Sequence, residues 1–375
     1  MKDRQRRTAG REQRGGQTMA GSAEERRKLV LRTVGGFGRP VRLTELAAHL
    51  GIPVITVRRD VAALAGAGRV SRSHGFVGPA RRPGEGRDPA GPGRGHTLGL
   101  LVPAVGSYFD ELTAGARAAA TAAGAHLILG VAPYAAGDDR AQAERLLGSG
   151  VAGLLLAPGL LPGQPAGAHA WLDALPVPAV LVERGLPGHG GPGSGLDAVG
   201  SDHREGVLLA LRHLAALGHR SVLLAARDDS WTAHEVRAGY AAGVRLLGLE
   251  PRPVLDTRGP DARPADPARL ARRLAGAAAD GVRAALVHND QDALRLPPLL
   301  RSHGLALPDD LALVAYDDVC AALADPPLTA VAPPTRAVGE TAVRLLLRRL
   351  AAGPELPVHR ISLLPALRVR ASCGG

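Results

Sequence analysis

The chain is 375 residues long, 45% hydrophobic and only 2% aromatic, with 46 basic against 35 acidic residues and a net charge of +11. Its length and apolar content exclude disorder throughout and provide material for two or three domains with buried cores. Its two cysteines, Cys320 and Cys373, exclude a disulfide framework, and no apolar run of about 20 residues is free of charge, glycine or proline, as a helical membrane span requires.

The charge is unevenly placed. Residues 1–95 hold 20 basic and 8 acidic residues, a net of +12, whereas the remaining 280 come to −1. Arginine outnumbers lysine 44 to 2, so position carries more information than count.

In chain order, residues 1–21 are basic and nearly free of hydrophobes, which predicts a disordered tail able to attract phosphates. Ser22 with Glu25 forms a capping box that opens a helix through Val34 carrying Arg26, Arg27, Lys28 and Arg32. Leu43 to Gly68 then reads as two short helices joined by a tight turn. Thr44 caps the first over Glu45 to Leu50, Gly51 ends it, and Pro53 sits in the first turn of the second.

Val57, Val61 and Leu64 fall at i, i+4 and i+7 and face inward, leaving Thr56, Arg58, Arg59 and Ala63 on a cationic outer face. A helix about 10 to 12 Å wide fits a DNA major groove roughly 12 Å across, where arginine donates to guanine and to phosphates. The stretch from Arg69 to Val77 alternates apolar with basic or polar residues, as a β-wing does. The nucleic-acid candidates are therefore Thr44, Thr56, Arg58, Arg59, Arg69, Arg72 and His74. The bland alternative is a structural or protein-binding winged helix whose arginines form a solvated face.

Residues 79–95 are a glycine, proline and arginine linker by composition. From His96 onward, apolar runs alternate with helical stretches. Strands are expected at Thr97–Val102, Leu127–Val131, Gly153–Ala157 and Ala179–Val182, with helices at Phe109–Ala123, Asp139–Gly148 and, more weakly, Ala168–Leu175. A second series places strands at Ala198–Ser201, Ser221–Ala225, Ala284–His288 and Leu311–Tyr316, and helices at His203–Leu217, Thr232–Leu247, Pro267–Ala278 and Gln291–His303. Such alternation implies parallel sheets covered on both faces, and two series suggest two lobes.

In open α/β sheets ligands sit beyond the carboxyl ends of the strands. The binding candidates are thus Tyr108, Phe109 and Asp110 after the first strand, Glu183 and Arg184 after the fourth, Trp231 and Arg237 around a helix start, Asn289, Asp290 and Asp317. Sugar hydroxyls need paired donors and acceptors, and a stacked aromatic grips the ring face. Against each stands a plainer role: Asp317 as a turn cap, Arg237 as an exposed helix charge. Gly188 to Gly193 fits GxGxxG but opens no helix, and Asp228-Asp229 and the other acidic pairs suit helix macrodipoles better than acid–base chemistry. No catalytic or metal-ligand signature is present, so neither an enzyme nor a cofactor is expected.

Two resemblances sit on these residues. LTELAAHLGI followed by TVRRDVAALAGAGRVSRSHG resembles the winged helix-turn-helix of DeoR-type bacterial regulators over about residues 24–78, departing from it at Pro53-Val54, where that family usually has a serine. Asp202-His203-Arg204-Glu205-Gly206, His213 to Arg220, Asn289-Asp290, Leu307-Pro308-Asp309-Asp310, Ala315-Tyr316-Asp317-Asp318 and Pro326-Pro327-Leu328-Thr329 together resemble the effector-binding core of LacI-type repressors over about residues 96–371. In that pattern Val236 holds the place of the cleft arginine, and Arg237 is turned by about 100° from it.

The resemblance implies an N-terminal α(+β) winged helix-turn-helix at 22–78 and a C-terminal α/β, two-lobed, periplasmic-binding-protein-like domain at 96–371, its parallel-sheet lobes joined by three crossovers. It further implies a cytoplasmic homodimeric repressor that binds double-stranded operator DNA and a small carbohydrate effector, with no membrane partner. The alternative is a cytoplasmic sugar-binding or sugar-processing protein without operator binding.

Overall fold

The computed structural model describes residues 23–37, 41–66, 69–73, 76–79, 95–103, 108–133, 138–159, 161, 167–184, 193–257 and 266–374. The expected tail, almost all of the expected linker, Ser22, His74 and most of the GxGxxG stretch lie outside these residues. The chain divides into two compact units, Met1–Pro89 and Ala90–Gly375.

The first unit contains α1 (Ala23–Phe37), β1 (Val41–Arg42), α2 (Leu43–Leu50), α3 (Val54–Gly66), β2 (Val70–Ser73) and β3 (Phe76–Pro79). The strands form an antiparallel sheet in the order β1-β3-β2, which is the expected wing with one added strand. Val30, Val34, Leu46, Val57, Val61 and Val77 are fully buried and form its core. Gly51 ends α2 in the left-handed region at φ 62°, which a side chain would resist.

Thr44 is not the cap of α2. The helix begins one residue earlier, at Leu43, after an extended Arg42 that makes no side-chain cap bond. The physical reason is that Arg42 pairs in β1 with Phe76 while Leu43 enters the core, so the chain passes from strand directly into helix. Pro53 likewise stands just before α3, and its carbonyl accepts from the amides of Thr56 and Val57.

The second unit runs β4 (Thr97–Val102), α4 (Tyr108–Ala122), β5 (His126–Val131), α5 (Asp139–Gly148), β6 (Gly153–Leu156), β7 (Ala179–Val182), β8 (Asp197–Ser201), α6 (His203–Ala216), β9 (Leu223–Ala226) and α7 (Trp231–Leu247). It continues with α8 (Pro267–Ala279), β10 (Ala284–His288), α9 (Asp290–Ala293), α10 (Leu296–Ser302), β11 (Ala312–Tyr316), β12 (Thr329–Ala332), α11 (Thr335–Ala352), β13 (Arg360–Leu363) and β14 (Ala366–Arg368). One lobe holds a parallel six-stranded sheet, β13-β8-β7-β6-β4-β5. The other holds β14-β12-β11-β10-β9, parallel except for β14. The chain crosses between lobes after β8, after β12 and after β13, as the resemblance implied.

Three expectations need correction. Ala198–Ser201 does not open the second lobe: it pairs with β7 in the first, and Val199 is buried in that lobe's core. The helix expected at Ala168–Leu175 shrinks to one 3-10 turn, Ala170–Leu172. Gln291–His303 breaks into α9 and α10, because Pro297 and Pro298 lack the amides that would continue a helix already under way. Elements beyond Tyr316, including the 18-residue α11, were not anticipated. Among the described residues no helix is long and apolar enough to cross a membrane.

Helix α11 seats α4, and with it the residues that open α4 at the lobe boundary. A Cβ on Gly339 would lie 2.1 Å from the carbonyl oxygen of Leu112, and one on Gly115 would lie 2.1 Å from that of Arg336. Both obstacles are backbone and cannot rotate away. Gly339→Ala is therefore expected to destabilise the second unit by about 1–3 kcal/mol, the usual cost of overpacking, measured by urea unfolding.

Candidate functional site

In the first unit, Val57, Asp60, Val61 and Leu64 turn α3 inward, while Arg58 and Arg59 are exposed with no ion-pair partner among the described residues. The helix is held from behind. Arg26 of α1 grips the buried Asp60 through Nε–Oδ2 at 2.5 Å and Nη2–Oδ1 at 3.2 Å, and Arg27 lies 3.5 Å from the same carboxylate. Two of the four basic residues that the sequence places on α1 thus hold α3 in its orientation. Thr44 is exposed on α2, Thr56 is half-buried, Arg69 is exposed at the start of the wing, and Arg72 pairs through its backbone with Val77.

In the second unit, the strand ends of both lobes converge. A chamber of about 250 Å³ is lined by Tyr108 and Phe109 from one lobe and by Arg227, Asp229, His288, Asn289 and Asp317 from the other. Adjoining it are a space of about 570 Å³ bordered by Glu183, Arg184, Ser201, His203 and Trp231, and one of about 660 Å³ bordered by Asp110 and Asp318 and again by Tyr108 and Asp317.

Residues lining the central chamber carry buried polar atoms without hydrogen-bond partners among the described residues: Asp317 Oδ1, His288 Nδ1 and the Tyr108 hydroxyl, which has Ser201 nearby but no well-formed bond to it. Burial, reinforced by the carboxylates of Asp290 and Glu183, pushes the Asp317 carboxyl well above the ordinary range. Burial and the charges of Glu183 and Asp317 raise Tyr108 in the same way. His288 is pushed down to about 3 by burial and by nearby His203 and Arg227, so its ring stays neutral. Glu183 and Asp317 occupy left-handed backbone, at φ 52° and 94°, a conformation that non-glycine residues adopt at a cost of about 1–3 kcal/mol each and that clusters at ligand sites.

A buried chain of polar groups ties the lobes together behind the chamber. Glu183 accepts from the Ser201 hydroxyl at 2.8 Å and its amide at 3.2 Å, and lies 3.3 Å from His203 Nε2. His203, which opens α6 after the crossover, sets its Nδ1 3.2 Å from the hydroxyl of Tyr316 on the same lobe, so that the Glu183–His203 contact is the one that spans the two. Burial disfavours the charged Glu183, yet His203 and Ser201 outweigh it and hold this carboxyl below the ordinary range.

The sequence candidates separate into three groups. Tyr108, Phe109, Asn289 and Asp317 share the central chamber, with Glu183, Arg184 and Trp231 beside it and Asp110 at the third space. Arg184 donates to the carbonyls of Pro158 and Glu183 and sets its guanidinium 5.7 Å from the centre of the Phe109 ring, which positions that aromatic. Trp231 opens α7 in one lobe but packs on an apolar cluster of the other. Asn289 also caps α9 by accepting from the Asp292 amide.

Arg237 and Asp290 do not line the chamber. Arg237 donates to the carbonyls of Ala226 and Arg227 at 2.6 Å, and Asp290 accepts from the amides of Cys320 and Ala321, so both brace loops that carry other residues. Sequence reasoning missed Arg227, Asp229 and His288. His288 ends β10, Arg227 follows directly after β9 and Asp229 lies in the same loop before α7, so the strand-end rule already applied elsewhere reaches all three. Asp229, expected to serve a helix dipole, chelates Arg227 through contacts of 2.8 and 2.5 Å, and Ser230 is the residue that caps α7.

An acceptor without a donor, a neutral imidazole, an arginine–aspartate pair and an aromatic face in about 250 Å³ can hold one small, polyhydroxylated molecule. Among the described residues no three His, Cys, Asp or Glu groups come together to hold a metal ion.

Comparison with known proteins agrees with this division. Residues 38–79 match the DeoR-like helix-turn-helix domain, and residues 211–373 match the periplasmic binding protein-like domain. The chain carries both. It is 32% identical to the HTH-type transcriptional regulator CelR of Thermobifida fusca over 52% of its own length and 59% of that protein's. It is 28% identical to MalR of Streptomyces coelicolor over 88% of this chain and 96% of that one. Among solved structures, a CelR–cellobiose complex superposes with a TM-score of 0.62 at 24% identity, covering 89% of this chain and all of that one. A LacI family regulator from Enterococcus faecium with bound ribose gives 0.58 at 23%, covering 74% and 98%. These likenesses establish the two-lobed fold.

Two pH effects follow from the chamber. Folding excludes the proton from His288, so its stabilising contribution is full above pH 6.5 and lost as pH falls toward about 3. His288→Gln should flatten that acid limb by one proton's slope, about 1.4 kcal/mol per pH unit. Asp317 has the opposite sign: its raised carboxyl favours folding below the unfolded value of about 3.9 and opposes it increasingly as pH rises. Asp317→Asn is expected to raise the ligand-free melting temperature at neutral pH and to leave it little changed below pH 4, as read by scanning fluorimetry across pH.

Proposed function

We propose that this protein is a ligand-responsive transcription regulator of the repressor type, acting on operator DNA as a homodimer and controlled by a small sugar or sugar-like metabolite. Residues 22–78 serve as the DNA-binding domain and residues 96–371 as the effector-binding and dimerisation domain.

One observation carries this: a single chain holds, on a helix-turn-helix, two exposed arginines with no ion-pair partner among the described residues and, in its other unit, a two-lobed chamber in which Asp317 Oδ1 and His288 Nδ1 have no hydrogen-bond partner among the described residues. Phosphates and guanine edges are the natural complement of the first, and sugar hydroxyls of the second. The named relatives support the pairing, since CelR and MalR are HTH-type regulators and the CelR structure contains cellobiose.

Signalling requires an effector with different affinities for the open and closed forms. A molecule that reaches Asp317 in one lobe and Tyr108 or Phe109 in the other supplies that difference, because both sets of contacts form together only when the lobes are brought together. Trp231, which opens α7 in one lobe and packs on an apolar cluster of the other, is a contact that any movement between the lobes has to carry or break.

Arg58→Ala combined with Arg59→Ala is expected to abolish a specific gel shift on the protein's own upstream DNA while leaving the melting curve unchanged, since both side chains are exposed. In a sugar and nucleoside panel read by thermal shift, at least one sugar should stabilise the chain, and Asp317→Ala should lose that stabilisation without losing the fold. A retained specific shift in the arginine double variant, or unchanged ligand stabilisation in Asp317→Ala, contradicts the corresponding half of the proposal.

A further inference from the structure

Ile55, in the first turn of α3, is 73% exposed although it is a large branched hydrophobe. Its exposure does not reflect a frayed end, because α3 is fixed by Val57, Val61, Leu64 and the Arg26–Asp60 clamp. Nor does helix propensity favour it there, since a β-branched side chain loses rotamer freedom against the preceding turn.

Its position on the helix is informative. At about 100° per residue, with Val57 set to zero, the buried Val57, Asp60, Val61 and Leu64 centre near −10°, whereas Ile55 lies at about 160°, between Arg58 at about 100° and Arg59 at about 200°. It is therefore the most outward side chain of the helix. Ala62, at about 140° on the same stripe, is too small to block an approach to it. An isolated isoleucine flanked by two cationic groups is far too small for a protein interface, which needs several hundred Å² per partner. Its flanking charges instead complement a polyanion with an apolar feature in its groove. In the DNA major groove that feature is the C5-methyl group of thymine.

We propose that Ile55 is a base-reading residue that packs against a thymine methyl, with Arg58 and Arg59 on either side holding phosphates or guanine. This rests on the DNA-binding role proposed above and adds a specificity determinant that carries no charge.

The test uses the full chain. Duplexes are selected from a random-sequence pool, the protected half-sites of the best duplex are mapped by footprinting, and each thymine in them is replaced by deoxyuridine, which lacks only the methyl. Loss of one buried methyl is expected to weaken binding about fourfold at one thymine per half-site. Ile55→Ala should bind the thymine and deoxyuridine duplexes equally, while keeping the melting temperature and the salt dependence of the unsubstituted protein, because no phosphate contact is removed. Indifference of the unsubstituted protein at every thymine, or a full response retained by Ile55→Ala, overturns the inference while specific binding still stands. Failure to enrich any duplex over random DNA overturns the DNA-binding role itself, and this inference with it.

Discussion

Asp317 follows β11 in left-handed backbone, half-buried, near Glu183 and Asp290, with one enclosed carboxylate oxygen that has no partner among the described residues. A carboxyl in such a place opposes folding at neutral pH, and an open α/β sheet does not require one there. Much of the surrounding structure keeps this arrangement tolerable. The Asp290 side chain holds the loop after β11, Arg237 holds the loop after β9, and the Glu183–Ser201 and His203–Tyr316 hydrogen bonds link polar groups behind the chamber. Of the buried polar atoms left without a partner among the described residues, Asp317 Oδ1, His288 Nδ1 and the Tyr108 hydroxyl belong to residues that line the chamber.

The first unit uses a buried charge in a different way. Asp60 has its partners in Arg26 and Arg27 and serves to orient α3 on α1. Because the inward cation–anion pairing is complete within the unit, Arg58 and Arg59 remain available on the opposite face, with Ile55 between them. In the second unit the orphaned buried group marks the site; in the first, the satisfied one frees it.

Two roles for the same kind of residue explain where prediction from sequence succeeded. Patterning located Thr97–Val102, Ala179–Val182, Asp139–Gly148 and Ala284–His288 to the residue, because strands buried on both faces read as unbroken apolar runs and a helix between them reads as a mixed polar and apolar stretch. The strand-end rule then selected Tyr108, Phe109, Asn289 and Asp317, which line the central chamber. It did not distinguish them from Asp290 and Arg237, which lie within one or a few residues of strand or helix ends but bond to backbone inside the protein. Direction of a side chain at a loop depends on local φ and ψ, and these carry no periodicity.

Sequence alone determined the order of modules, the parallel α/β character, the inward and outward faces of α3, and the strand ends from which a binding site would be built. These follow from local patterning and chain order. Only the tertiary structure decided that β8 belongs to the first lobe, that α11 returns to seat α4 there, that Arg26 clamps Asp60, and that Tyr108 meets Asp317 across the lobes. Those outcomes depend on contacts between residues far apart in the chain, where packing and burial select the partner.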